Sequence, residues 1–263
     1  MEKKRLALLG CGKLSSLVAN AYLDGFLPEY ELVGVLGRSE ERAQALAEKA
    51  GCAACKNIEE LLALKPDYVA EAASVQAVKT YAEQILSHGA NMVIISIGAL
   101  ADADFLERVK EVGKANGTRL HIASGAVGGF DVLRTISLMG AAKAKMTSHK
   151  GPKSLQNTPL FKEELMEEGK KTEVFVGSSK EAIAILPTKV NVSVATALAS
   201  VGPENLEYHI NSVPGMVGDD YVIETEAEEA GVKAVVNIYS RTADIAGWSI
   251  VEVLQNAVSP IVF

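Results

Sequence analysis

The apolar positions of the first 125 residues fall into short runs separated by segments of helical period. Residues 5–9, 31–36, 68–72 and 92–97 are rich in Leu, Ile, Val and Ala, as strands buried on both faces are. Residues 16–23, 40–50, 75–88 and 103–115 carry helix-forming patterns, and Gly89 follows the third as a stop signal. Residues 52–55 and 119–122 read as short strands, and Asn57-Ile58-Glu59-Glu60-Leu61 opens a further helix. Repeated strand–helix units predict a parallel sheet with helices on both faces. After Ser124 the pattern changes. A small, glycine-rich segment, Ser124-Gly125-Ala126-Val127-Gly128-Gly129-Phe130-Asp131, leads into a helix at 131–139. Residues 143–148, 172–177, 207–212, 221–227 and 232–239 then alternate apolar and polar, the signature of a half-exposed sheet. A final helix covers 245–255. The expected fold class is α/β: a parallel-sheet domain at 1–125, and a second, α+β domain at 126–242 with a mixed or mostly antiparallel sheet. The C-terminal stretch 243–263 is expected to pack back onto the first domain.

The junction of the first strand and helix carries the strongest chemical signal. Gly10-Cys11-Gly12-Lys13-Leu14-Ser15 is a tight glycine turn between an apolar run and a helix, the opening of a dinucleotide-binding βαβ unit. Gly10 permits the turn, and Gly12 lets a pyrophosphate approach the backbone. The helix N-terminus offers free N–H groups and the positive end of its dipole. Ser15 stands at the third glycine position. An NAD-selective site ends its second strand in Asp or Glu, which accepts from the ribose 2′-hydroxyl. Here Gly37 stands at that place, followed by Arg38 and Ser39, a cation and a hydroxyl suited to a 2′-phosphate. NADP is therefore expected ahead of NAD. The expected cofactor contacts in this half are Gly10, Gly12, Lys13, Leu14, Arg38, Ser39, Ala73 and Ser74, with Ile97-Gly98 also at a strand end lining the cleft.

Composition narrows the setting. In 263 residues, 33 acidic side chains outweigh 26 basic ones, a net charge of −7, which argues against nucleic acid or an anionic membrane as partner. The charged N-terminus precedes an apolar run too short for a signal peptide, and the longest apolar run, 92–101, is far too short to span a bilayer. A soluble, cytoplasmic protein is expected. Cys52 and Cys55 form a C-x-x-C without a second ligand pair, so no metal site is expected and the pair reads as part of a strand. Cys11 reads as a packing residue.

Several segments, taken together and in order, resemble the L-aspartate dehydrogenase family. They are Glu71-Ala72-Ala73-Ser74, Ile94-Ile95-Ser96, the Ser124 to Leu133 stretch, Gly151-Pro152-Lys153-Ser154-Leu155, Val174-Phe175-Val176-Gly177-Ser178 and Leu186-Pro187-Thr188-Lys189-Val190-Asn191-Val192. The resemblance implies a Rossmann domain followed by a sheet-bearing catalytic domain. It implies hydride transfer between a nicotinamide and the α-carbon of L-aspartate, with iminoaspartate, oxaloacetate and ammonia on the oxidised side. In some members the iminoaspartate feeds NAD biosynthesis. By position, Ala126 and Asn191 match the family's nicotinamide contacts, and Lys153 and Ser154 match a Pro-Lys-Ser suited to a substrate carboxylate.

The chain departs from the family where the family places its catalytic histidine. In Val213-Pro214-Gly215-Met216-Val217-Gly218-Asp219-Asp220-Tyr221, Tyr221 stands at the histidine position and Asp219 at the asparagine position. The family's later Asn-Pro-Lys-Thr-Ser is replaced by Ser240-Arg241-Thr242-Ala243-Asp244. Three explanations stand side by side: a different small amine or hydroxy acid as substrate, proton transfer by Tyr221, or dinucleotide binding without turnover. His149, just before Lys150-Gly151-Pro152-Lys153, is the alternative acid–base candidate; His88, His121 and His209 read as structural or solvent-facing. A homodimer or homotetramer is expected, because a small domain with an apolar sheet face needs cover.

Overall fold

The computed structural model describes residues 2–167, 169–187 and 189–263; Thr188 of the quoted motif lies outside the described residues. The first strand, β1 (Lys4–Leu9), sets the architecture of its unit. Leu6, Ala7, Leu8 and Leu9 are each at most 3% exposed. Neighbouring residues on a strand point to opposite faces, so this run requires cover on both. The chain continues through α1 (Lys13–Leu23), β2 (Tyr30–Leu36), α2 (Glu40–Ala50), β3 (Ala53–Cys55) and α3 (Ile58–Ala63). It goes on through β4 (Tyr68–Glu71), α4 (Val75–Ser87), β5 (Asn91–Ile94), α5 (Ala103–Asn116) and β6 (Leu120–Ile122). The six strands pair in parallel in the order β3-β2-β1-β4-β5-β6. Strand order reverses between β1 and β4, and Gly10 and Ala72 meet at the carboxyl ends of these two strands, the place where such sheets bind ligands.

One strand is shorter than its apolar run. The sequence reads as strand to Ile97, but β5 stops at Ile94, and Ile97–Ala101 forms a 3₁₀ turn. The cause is Glu71, whose Oε2 accepts the backbone N–H groups of Ile95 (3.3 Å) and Ser96 (3.1 Å) and so withdraws them from the ladder.

The second sheet follows α6 (Phe130–Leu138). Its elements are β7 (Lys143–Lys150), β8 (Thr172–Ser178), α7 (Ser179–Ile185), α8 (Asn191–Leu198), β9 (Glu207–Ser212), β10 (Asp219–Ala227) and β11 (Val232–Ser240). The order is β11-β10-β7-β9-β8. The β7–β9 pair is parallel and the other three are antiparallel, so the sheet is mixed. Helices α6, α7 and α8 pack on one face. On that side lie Met146, Ser148 and Lys150 of β7 with Tyr221 and Ile223 of β10, all buried. The opposite side carries partly exposed residues, among them Thr147, His149, Asp220 and Val222. Helices α7 and α8 are absent from the sequence pattern read above. Residues 191–198 are rich in β-branched side chains, which favour strands. They stay helical because the segment is buried; the hydroxyls of Ser193 and Thr196 are accommodated by donating to Val190 O and Val192 O (both 2.9 Å).

The last helix, α9 (Asp244–Val258), belongs with the parallel sheet. Tyr30 Oη donates to Leu254 O (2.7 Å), and a Cβ at Gly247 would stand 2.9 Å from Leu17 of α1. The chain thus forms two compact units, Met1–Gly125 with Asp244–Phe263, and Ala126–Ala243, each with its own apolar cluster.

Candidate functional site

In the first unit the turn after β1 is shaped for a phosphate. Gly10 is required by the protein: its φ is +129°, and a Cβ would stand 2.5 Å from Ala72 O. Gly12 is not. It is exposed, its φ is −92°, and a Cβ there would meet no atom within 4 Å. Gly12 is also the N-cap of α1 and supplies no side-chain cap, whereas α2, α3, α4 and α5 are capped by Ser39, Asn57, Ser74 and Asp102. Backbone donors left uncapped beside open space fit a dinucleotide pyrophosphate. Ser15, at the third glycine position, is buried with its hydroxyl against Gly10 in the turn. Leu14 is partly exposed. Lys13, expected at the phosphates, pairs with Asp244 Oδ1 at the start of α9 instead.

At the end of β2, Arg38 is exposed and its guanidinium forms no ion pair among the described residues. Ser39 caps α2 by accepting from Arg42 N (3.4 Å). Glu40 and Glu41 share that first turn and are exposed.

Glu71 is the residue of this site that sequence reading passed over. It is 0% exposed at the end of β4. Its Oε1 accepts from Ala73 N (2.7 Å), Ser74 N (2.9 Å) and Ser96 Oγ (2.8 Å), beside the two contacts of Oε2 above. The carboxylate ties the loops after β4 and β5 together. Burial pushes its pKa up, and the donors around it pull the other way. The N–H groups of Ala73 and Ser74 are therefore committed to Glu71, and Ser74 Oγ accepts from Ala77 N (3.1 Å) at the start of α4. Both residues remain exposed and offer only side chains and carbonyls to a ligand.

In the second unit the strand register assembles a polar cluster. Asp219 lies opposite Lys150, Asp220 opposite His149 and Tyr221 opposite Ser148. Lys150 Nζ donates to Asp219 Oδ1 (2.8 Å) and to Tyr221 Oη (3.0 Å). The lysine side chain is 6% exposed and the aspartate 37%. Tyr221 is 3% exposed. Burial, and then the Asp219 carboxylate, hold its phenol well above the ordinary tyrosine range. At neutral pH Tyr221 therefore keeps its proton and is not a base. Beside it Tyr208 Oη and Ser148 Oγ are 2.7 Å apart, and burial pushes the Tyr208 phenol up to about 12.

His149 and Tyr221, paired above as acid–base candidates, lie on opposite faces of this sheet. His149 is held between Lys171, which donates to Nε2 (2.8 Å), and Asp220, which accepts from Nδ1 (3.0 Å). Lys153 and Ser154 form a 3₁₀ turn directly after β7. Gly151 starts it, and a Cβ there would stand 2.6 Å from Met216 O, so this turn runs against the 213–216 loop. Lys153 is exposed with no ion pair among the described residues. The Ser154 hydroxyl donates to Gly151 O (2.8 Å), so its proton is not free for a carboxylate. Asn191 is the first residue of α8, and Ala126 follows the left-handed Gly125; both are partly exposed.

The remaining candidates are inert. Cys52 is pushed up to about 11 by burial and by Cys55, and Cys55 is raised by burial, so neither is a thiolate at neutral pH. Among the described residues no group of His, Cys, Asp and Glu is placed to hold a metal. His121 is lowered by burial, and His88, the C-cap of α4, donates from Nδ1 to Gln84 O (2.8 Å). His209 bridges Glu173 and Glu207 (2.6 Å each).

Comparison with known proteins gives a consistent family. The family described as aspartate dehydrogenase, C-terminal, matches residues 131–257, and that described as homoserine dehydrogenase, NAD binding domain, matches residues 10–123. The L-aspartate dehydrogenase of Methanospirillum hungatei is 32% identical over 262 residues, 98% of each chain. That of Methanosarcina acetivorans is 30% identical over 269 residues, again 98% of each. Among solved structures, aspartate dehydrogenase from Thermotoga maritima superposes with a TM-score of 0.79 at 26% identity, covering 100% of both chains. An amine dehydrogenase from Mycobacterium smegmatis shares the fold, at TM-score 0.60 and 13% identity over 97% of this chain and 92% of that one.

Proposed function

This chain belongs to the L-aspartate dehydrogenase family, and on that premise we propose that it oxidises the CH–NH₂ group of L-aspartate, or of a closely related small amino acid. Loss of hydride gives the imine, which water hydrolyses to the 2-oxo acid and ammonia, and the reverse reaction consumes both and releases water. A nicotinamide dinucleotide, when bound, supplies or accepts the hydride. The uncapped start of α1 and the open space at Gly12 support its binding in the first unit. Between the two dinucleotides, NADP is the better fit: Gly37 offers no acid to a 2′-hydroxyl, and Arg38 is an exposed cation with no ion pair among the described residues.

The observation that carries the catalytic reading is the Lys150–Asp219–Tyr221 cluster at the family's histidine position. Lys150 donates to the phenol oxygen while the phenol proton lies toward the Asp219 carboxylate, so release of that proton to the substrate depends on Lys150 offsetting the burial and the Asp219 charge that hold it in place. The ammonium also steadies the oxygen when that proton leaves, and Asp219 keeps the pair neutral overall. Lys153 supplies the free cation for a substrate carboxylate. His149 stands on the other sheet face, tied to Asp220, and takes no part. A soluble, cytoplasmic homodimer or homotetramer completes the reading. Among the described residues no helix is long and apolar enough to cross a membrane. Val176, Val235 and Tyr239, each at least half exposed on the sheet strands, support self-association; sedimentation of a monomer at micromolar concentration would remove that part.

The test is oxidation of NADPH, and separately of NADH, with oxaloacetate and ammonium, comparing native protein with Tyr221→Phe. Turnover requires ammonium, and the variant falls by about a hundredfold or more. Full activity in Tyr221→Phe would move proton transfer to another group. Tight NADPH binding without turnover in the native chain would favour the reading that the absent histidine suggests, a dinucleotide-binding protein without this reaction.

A further inference from the structure

Gly37 directly follows β2, where a sheet selecting the unphosphorylated ribose carries its acid. Its backbone is not in the left-handed region, so conformation does not demand glycine. Cys11 does. A Cβ at 37 would stand 2.3 Å from Cys11 Sγ, 2.8 Å from Cys11 Cβ and 3.4 Å from Cys11 N. Rotating the cysteine about its Cα–Cβ bond would carry the sulfur away but leave its Cβ in place. Any side chain at 37 therefore requires the turn after β1 to shift. That turn is pinned on two sides: Gly10 N donates to Leu36 O (2.7 Å), and the Gly10 Cα faces Ala72 O too closely to admit even a Cβ. Cys11 Sγ, for its part, donates to Ser39 O (3.7 Å), at the start of α2.

We propose that Cys11 determines which dinucleotide this chain selects, by filling the space that an acidic residue at position 37 needs. The second residue of the phosphate turn thereby decides the chemistry at the adjoining adenosine ribose. With the acid at 37 sterically shut out, the groups after β2 that remain for the 2′ position are Arg38 and the α2 N-terminus, with Glu40 and Glu41 exposed in the same turn. The inference rests on the family reading for the identity of the ligand, and on packing alone for the coupling of the two residues.

The coupling and the selection have separate readouts. Ligand-free native protein, Gly37→Asp, Cys11→Gly and the double variant are compared by thermal unfolding. Equilibrium binding of NADPH and NADH is followed by cofactor fluorescence. Gly37→Asp unfolds lower by about 5 °C, and adding Cys11→Gly restores most of that loss, because overpacking is relieved. NADH affinity rises by about tenfold in the double variant and not in Gly37→Asp, while NADPH affinity falls. Simple additivity of the two substitutions in both readouts would overturn the proposal, as would a Gly37→Asp protein that melts like the native one and binds NADH as tightly as the double variant. A native chain that binds neither dinucleotide would overturn the family reading and the selection together.

Discussion

Glu71 and Lys150 are both buried charges, and their surroundings predict opposite responses to removal. Every contact of Glu71 is a donor directed at one of its two oxygens: Ala73 N, Ser74 N and Ser96 Oγ at Oε1, Ile95 N and Ser96 N at Oε2. An amide in its place sets an NH₂ group against N–H donors whichever way it turns. Glu71→Gln therefore destabilises by about 2–3 kcal/mol, read as a lowered midpoint in denaturant, and weakens nicotinamide dinucleotide binding as the two loops loosen. Lys150 differs, because its partner Asp219 is 37% exposed and stays hydrated when left alone. Lys150→Met keeps stability within about 1 kcal/mol of native, since a buried charge is replaced by an apolar chain of like length. The same variant loses ammonium-dependent turnover, a split that a purely structural lysine would not show. Both residues stand in the sequence as ordinary polar positions. Glu71 interrupts an apolar run, and Lys150 ends an alternating strand, with nothing local to mark either as buried.

At the scale of elements, the pattern was most readable where one face or both faces of a segment are uniformly covered. Helix α2 and strand β9 match their sequence-derived bounds, 40–50 and 207–212: Ser39 caps the start of α2, and Glu207 to Asn211 alternate polar and apolar along β9. Strand β5 was overread, because an apolar run does not reveal that a buried carboxylate will capture its backbone donors. Helix α7 was missed although its signal is present: Ser178 and Glu181 form a capping box, with Ser178 Oγ accepting from Glu181 N (3.2 Å) and Glu181 Oε2 accepting from Ser178 N (2.7 Å). Ser178→Ala lowers stability by about 1 kcal/mol, measurable in urea unfolding, while Ser178→Thr retains most of it. Helix α8 gave no such signal. Its β-branched composition speaks for a strand, and only burial against the second sheet makes the helix, which is why Asn191 stands at a helix start rather than on a strand edge.

Across the whole molecule, each unit hides tyrosines. Burial raises Tyr30 in the first unit and Tyr208 and Tyr221 in the second. The folded state thus holds these protons more tightly than the unfolded chain, whose phenols ionise near pH 10. Stability is then fully present below about pH 10 and falls as pH rises above it. Absorbance at 295 nm during alkaline titration should show these three phenols ionising only together with loss of circular dichroism. Their ionisation in a protein still folded would contradict the buried environments described. The strand–helix alternation, the phosphate turn at Gly10 and Gly12 and the missing acid at Gly37 were all legible in the chain, because each depends on residues within a few positions of one another. The Lys150–Tyr221 hydrogen bond joins residues 71 positions apart, and the separation of His149 from Tyr221 follows from the register of β7 on β10. The steric claim of Cys11 on Gly37 likewise arises from the approach of β1 to β2. Strand register and interstrand approach are settled by packing across the sheet, and no local period along the chain records them.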